Sequence, residues 1–225
     1  MNIEVQWFGC IANNLDYELA VNPPTPILPF LIKKYGSKLD YWHCPSKTEY
    51  LKNVYLITSP VNFVLDVDQN EKVTFKHNGS IFTQNVIESN LETQTCLDFP
   101  LNYYFINKND NVTIDLIDPP LIHLPFKNFC GSFNISKICR PTNFTCIPAH
   151  GPCTINIKRG DPLYAVKFNT AQKVVLEQIV DSNLQSNIMN QSQKVISLKN
   201  IVKNTSLSDL YQNFSKYMKQ LWKNS

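Results

Sequence analysis

The chain has 225 residues, 43% hydrophobic and 17% charged, with a formal net charge of +3. It is too apolar and too weakly charged for a disordered chain, and long enough to fold without a disulfide or metal staple. The Lys residues are scattered, with Lys33-Lys34 and Lys158-Arg159 the densest pairs, which argues against nucleic acid as a partner, because that role shows a concentrated basic stripe.

The N-terminal Met1-Asn2-Ile3-Glu4-Val5-Gln6-Trp7 lacks the basic and apolar regions of an export signal. No apolar run approaches the roughly 18 residues of a membrane span, so no membrane association is expected. Ile3, Val5 and Trp7 alternate with polar residues, the mark of a half-buried strand. The stretch 22–30, with Pro23, Pro24, Pro26 and Pro29, is expected to be extended and laid over a sheet, since proline suits neither a helix interior nor a central strand. Its PxxP spacing also fits a proline-binding partner, though the structural role is the simpler one.

Further alternating segments follow at Phe63–Val67, Val73–Phe75, Val112–Leu116, Ile155–Ile157 and Tyr164–Phe168. Denser apolar runs at Val54–Thr58, Tyr103–Ile106 and Val174–Val180 predict strands buried on both faces. Ser59-Pro60, Asn78-Gly79, Lys108–Asn111, Asp118-Pro119-Pro120 and Gly160-Asp161-Pro162 punctuate them. Asn109–Asn111 sits between two strong runs, which suggests that Tyr103–Ile106 and Val112–Leu116 form a hairpin. Gly160-Asp161-Pro162 predicts a turn into a strand at Leu163–Phe168. Short strands at this spacing predict a mainly β fold, an antiparallel β-sandwich of jelly-roll or cupin-like kind over residues 1–180.

Beyond residue 180 the period becomes helical. Leu184, Ile188 and Met189 suggest one helix. Ser206 is suited to cap another, along which Leu207, Leu210, Tyr211, Phe214, Met218, Leu221 and Trp222 recur. The tail 181–225 is therefore expected to be helical, packed on the domain or on a partner, with Trp222 on its docking face.

Chemical motifs are sparse. Six glycines fall in no phosphate-loop spacing, and neither GxSxG nor HExxH occurs. The residues two positions after the four His are Pro45, Gly79, Pro125 and Pro152, so no His-X-carboxylate or His-X-His pair is available for a cupin-type facial triad. The seven Cys (Cys10, Cys44, Cys96, Cys130, Cys139, Cys146 and Cys153) are odd in number and irregular in spacing, which favours reduced thiols. His150, Cys153 and Cys146 form the weak alternative, a metal site whose spacing is wider than that of structural zinc knuckles. Cys44 beside His43 is poorly placed for proton transfer if both lie in a strand. Arg140 is suited to hold a loop through carbonyls or a carboxylate such as Asp161, or to bind a ligand. Asn-X-Ser/Thr occurs at Asn78, Asn111, Asn134, Asn143, Asn190, Asn204 and Asn213; in a chain so rich in Asn these are chance matches, and no glycans are expected.

Three blocks in order carry a resemblance: Tyr41–Pro45 with Asn53–Val61, then Gly131–Pro141, then Ile155–Phe168. Together they resemble a family of uncharacterised proteins of marine T4-like tailed phages, of the cyanophage type, with a looser similarity to a bacterial domain of unknown function. The resemblance covers roughly residues 3–180. The family tends to carry an aromatic pair before Arg140, where this chain has Ile138-Cys139. It implies a phage origin, a place in the host bacterial cytoplasm or the virion, and no catalytic residue.

The expectation from all of this is a binding or structural module without a cofactor, a minor virion or assembly component whose partner is a phage or host protein. Arg140, His123, Asp161 and Trp222 are the candidate binding residues. The competing readings are a cytoplasmic factor that binds a host protein, and a metal-dependent sandwich enzyme in which His43, His77, His123 or His150 converges with a carboxylate. Nothing in the sequence marks an oligomeric state.

Overall fold

The computed structural model describes residues 2–10, 21–37, 40–67, 73–77, 80–81, 89–91, 94–108, 111–149 and 153–201. Along the chain these form β1 (Asn2–Gly9), β2 (Thr25–Pro26), α1 (Ile27–Tyr35), α2 (Pro45–Leu51), β3 (Val54–Thr58), β4 (Phe63–Val67), β5 (Val73–His77), β6 (Ser80–Ile81), β7 (Ser89–Leu91) and β8 (Gln94–Ile106). Then follow β9 (Thr113–Ile117), β10 (Phe126–Asn128), β11 (Gly131–Asn134), β12 (Thr142–Pro148), β13 (Cys153–Ile157), β14 (Pro162–Asn169), β15 (Lys173–Gln178) and α3 (Ser182–Ile201). The fold is mainly β, an antiparallel sandwich with a C-terminal helix.

One sheet runs β10-β12-β8-β1-β15 with β7 added to β8, a second runs β11-β9-β14-β3-β2, and a third runs β13-β4-β5-β6. Every pairing is antiparallel except β1 with β15, which align in parallel with Val5 opposite Leu176. All three sheets give one face to a common core that includes Val5, Tyr103, Phe105 and Phe144 from the first, Ile57, Val166 and Phe168 from the second, and Leu65 and Ile155 from the third. The inner ring contacts include edge-to-face packing of Phe105 on Phe168 at 5.6 Å, a favoured aromatic geometry.

Two of the three dense apolar runs, Val54–Thr58 and Tyr103–Ile106, mark strands covered on both faces; the third is not, because β15 is an edge strand whose outer side chains face solvent, with Val174 buried but Val175 42% and, just past the strand, Val180 82% exposed. On β8, Tyr103 and Phe105 enter the central core, while Tyr104 and Ile106 join Phe8, Cys139 and Ile179 beneath Ile188 and Val195 of α3. Phe8 and Tyr104 stack at 4.7 Å on that outer face. On β3, Ile57 points inward, and Val54 and Leu56 pack outward with Ala165 against Ile27 and Leu31 of α1 and Leu51 of α2.

Two further sequence expectations are corrected. The proline-rich segment is extended only through Pro26, where Thr25–Pro26 pairs with Tyr55–Leu56 at the sheet edge. From Ile27 the chain is helical although Pro29 follows. A helix's first amides have no acceptor within it, so a proline in the first turn removes no hydrogen bond. The proposed hairpin is also absent: β8 pairs with β1, β12 and β7, whereas β9 pairs with β11 and β14. The Asn107–Val112 link instead crosses between layers. Buried Asn107 donates to the Glu4 carbonyl at 2.8 Å, and Ser136 accepts from the Val112 amide at 3.1 Å, tying both ends of the crossing. The helix foreseen around Leu184 and Ile188 is present as α3, and the one foreseen at 206–222 lies outside the described residues.

Candidate functional site

The sequence-derived candidates do not converge. Arg140 is exposed, with its guanidinium 5.4 Å from the Phe133 ring centre. Asp161 is occupied in its own turn, where its carboxylate accepts from the Lys158 amide at 2.7 Å and its amide donates to the Lys158 carbonyl at 3.0 Å. The two form no ion pair with one another, so Asp161 shapes the Gly160 turn (φ +89°) and does not hold Arg140. Cys146 is fully buried on β12 in the first sheet, and Cys153 is half-buried on β13 in the third. His150 and Trp222 lie outside the described residues, as does the side chain of His77. Among the described residues no group of His, Cys, Asp and Glu is placed to hold a metal ion. No helix among them is long and apolar enough to cross a membrane.

His43 and Cys44 are not in a strand. His43 ends a 3-10 turn at Asp40–His43, and Cys44 caps α2, whose Lys47 and Thr48 amides donate to the Cys44 carbonyl. The Cys44 thiol lies 3.1 Å from the Ser46 hydroxyl, and that hydrogen bond, with the Lys47 amide, holds it below the ordinary thiol range.

His123 leads to a more informative surface. It is exposed in the segment that joins β9 to β10, two residues after Leu121. There the Ile122 amide donates to the Pro119 carbonyl at 3.2 Å, and Leu121 has φ +63°. Pro120 fixes its own φ near −65°, so these are the marks of a type II turn with Leu at the position that normally takes Gly or Asn. The strained Leu121 side chain is not buried in return: it is 48% exposed. Its carbonyl accepts from the Tyr35 hydroxyl at 2.8 Å, which braces the turn against the end of α1. Ile122 packs into the cluster beneath α1 and α2.

Around this point lie other ring systems and ammonium groups. Lys34 stands 5.4 Å from the Tyr35 ring centre, and Lys33 beside it is exposed. Trp42 donates its indole N–H to the Gly36 carbonyl at 2.9 Å. On the same helical layer Tyr50 is 51% exposed, with the Lys167 ammonium 4.1 Å from its ring centre. Residues 27–52 contain Lys33, Lys34, Lys38, Lys47 and Lys52 against Asp40 and Glu49, a net +3, so the remainder of the chain is neutral in sum. Among the described residues, exposed Lys33 and Lys34 at the end of α1 and Lys167 over Tyr50 set ammonium groups beside these rings, while exposed Asp118 lies in the segment that carries Leu121. The Pro119-Pro120 pair was a legible turn signal; the left-handed Leu121 was not.

Comparison with protein-family models, curated proteins and solved structures finds no match to this chain.

Proposed function

We propose that the protein is a binding module, a minor virion or assembly component of a phage, which works by docking the α1–α2 layer on another protein. The observation that carries this reading is the set of exposed apolar and ring side chains Tyr35, Tyr50 and Leu121 on and beside the α1–α2 layer, with Lys33 and Lys34 exposed next to Tyr35. Aromatic side chains offer large, rigid contact area at low entropic cost, and they dominate protein interfaces when surrounded by polar groups. The phage assignment rests on the resemblance of the three sequence blocks. A cytoplasmic host-binding factor would use the same surface.

A photocrosslinking residue placed at Tyr50 during infection tests the reading, with Val180, 82% exposed and outside the layer, as the control position. The expected result is a discrete adduct with one protein from Tyr50 and none from Val180. No adduct from Tyr50, or the same adducts from both positions, would refute docking by this layer. Mass spectrometry of nuclease-treated virions then separates the two biological settings: fixed copy number supports a virion component, and absence supports the host-binding factor.

A further inference from the structure

We infer that α3 is a peroxide-sensitive strap: oxidation of the Met189 thioether releases the helix from the outer face of the first sheet. The inference is independent of the docking layer and rests on a sulfur contact that joins the two elements. The Cys10 thiol, directly after β1, donates to Sδ of Met189 on α3 at 3.1 Å, across 179 residues of sequence. Both side chains are half-buried, so a small oxidant meets them from solvent. Burial pushes the Cys10 thiol above its ordinary range, and a protonated thiol is a poor nucleophile. The thioether needs no deprotonation, so it is the sulfur that reacts first. In that step one peroxide oxygen bonds to Sδ as the O–O bond breaks, and sulfur gives up two electrons. The other oxygen leaves as hydroxide and takes the proton of the transferred oxygen to become water, leaving methionine sulfoxide.

The geometry gives the response its sign. At 3.1 Å the gap between the two sulfurs has no room for an oxygen, so a sulfoxide must displace the Cys10 thiol or turn away from it. Either way a flexible apolar side chain becomes a polar one, beside the cluster in which Ile188 and Val195 cover Phe8, Tyr104 and Cys139. This seam already carries unsatisfied polar atoms. Ser192, three residues after Met189 on the buried face of α3, is 0% exposed, and its hydroxyl has no hydrogen-bond partner among the described residues. The buried Oε1 of Gln6, which alternation turns to the Phe8 side of β1, has none among them either. Each unpaired buried group weakens the packing of the helix, and the sulfoxide adds one more.

The test reads Cys139, buried beneath α3, against Cys146, buried in the central core. The full chain is treated with hydrogen peroxide and alkylated under native conditions, and peptide mass mapping follows oxygen uptake at Met189 and labelling at both cysteines. The expected result is a sulfoxide at Met189, Cys139 labelled about tenfold or more faster, and Cys146 still protected; that is the change in local opening that one buried unpaired polar group brings. Met189→Leu keeps the volume, the apolar character and every cysteine, so the same peroxide leaves its Cys139 at the unoxidised rate. Met189→Gln, which places an amide where the sulfoxide would form, labels Cys139 fast without peroxide. Met189 left intact while free methionine in the same tube is consumed, a sulfoxide without faster Cys139 labelling, an equal rise in Met189→Leu, or slow labelling in Met189→Gln would each overturn the inference. So would labelling of Cys146 in step with Cys139, which would mean unfolding of the whole sandwich and not release of one helix.

Discussion

Asn53 is the residue whose loss should damage the sandwich most for its size. It lies just before β3 with φ +61° and is 8% exposed. Its side-chain amide donates to the carbonyls of Thr170 at 3.1 Å and Gln172 at 2.6 Å, and its carbonyl accepts from the Val174 amide at 2.8 Å. Its backbone carbonyl also accepts from the Phe168 amide at 3.0 Å. One side chain therefore ties the β14–β15 turn, and so the first sheet, to the second. Asn53→Ala removes all three side-chain bonds. The two carbonyls flank an exposed turn and regain water, so their loss costs about 0.5–1 kcal/mol each, but the buried Val174 amide is left unpaired at about 1–2 kcal/mol. Alanine in the left-handed region adds about 1 kcal/mol. The sum is about 3–5 kcal/mol, a large part of the 5–15 kcal/mol typical of a domain. Asn53→Gly loses the same bonds without the full steric term, so it should be roughly 1 kcal/mol less damaging. Urea unfolding at matched m-value measures both. A loss below about 1 kcal/mol for Asn53→Ala would refute the clamp, given what a buried unpaired amide costs, and equal losses for Ala and Gly would refute the backbone argument.

Three further outcomes follow from other contacts. Thr142 donates to the Tyr103 carbonyl at 3.2 Å and lies 3.0 Å from the Tyr164 hydroxyl, stitching β12 and β8 to β14 inside the core; Thr142→Val should cost about 1–2 kcal/mol in chemical denaturation, and a neutral result would mean the Tyr164 hydroxyl is satisfied by the Thr142 carbonyl alone. The Glu4 carboxyl is raised above its ordinary 4.5 by a hydrogen bond with Glu177 and by that carboxylate's charge, with Lys108 offsetting part. Its proton is held more tightly in the fold, so this contribution is present below pH 4.5 and lost as pH rises through the folded value. Glu4→Gln should flatten the stability profile above that pH by a small, salt-sensitive amount, and an unchanged profile would refute the pairing. Native alkylation should reach Cys44, whose thiol is lowered by Ser46 and Lys47, well before Cys139, whose thiol is fully buried and pushed up; peptide mapping that finds Cys139 modified as early would contradict its packing under α3.

What was legible in the sequence was burial, because burial is written as periodicity. Single alternation at Ile3–Trp7 and Ile155–Ile157 marked strands with one core face. The unbroken runs Val54–Thr58 and Tyr103–Ile106 marked strands with two, and the structure supplies a helix for each second face. Pairing was less legible. The Asn109–Asn111 signal looked like a hairpin, but the polar groups that decide the crossing, Asn107 and Ser136, act through contacts distant in sequence. Pro29 misled for a different reason: its cost depends on whether it falls in a helix's first turn, and that depends on where Ile27 and Leu31 find Leu56 and Ala165.

The candidate site was the least legible part, and for a physical reason. Residues chosen for their chemistry, Arg140 and Asp161, are engaged with Phe133 and with the Lys158 turn. His123 was chosen as well, and it is exposed in the segment between β9 and β10, two residues after Leu121. A leucine's place on a strained turn leaves no compositional trace, since Leu is read as core by default. The second sheet needed cover for Val54, Leu56 and Ala165, and α1 and α2 provide it with one face. Tyr35, four residues after buried Leu31 on α1, is bonded to the Leu121 turn, and Tyr50 carries the Lys167 ammonium over its ring, so both rings are tied to the sandwich while staying about half exposed. Under the proposed docking reading, these braced and half-exposed rings are the part of the covering layer that a partner would meet.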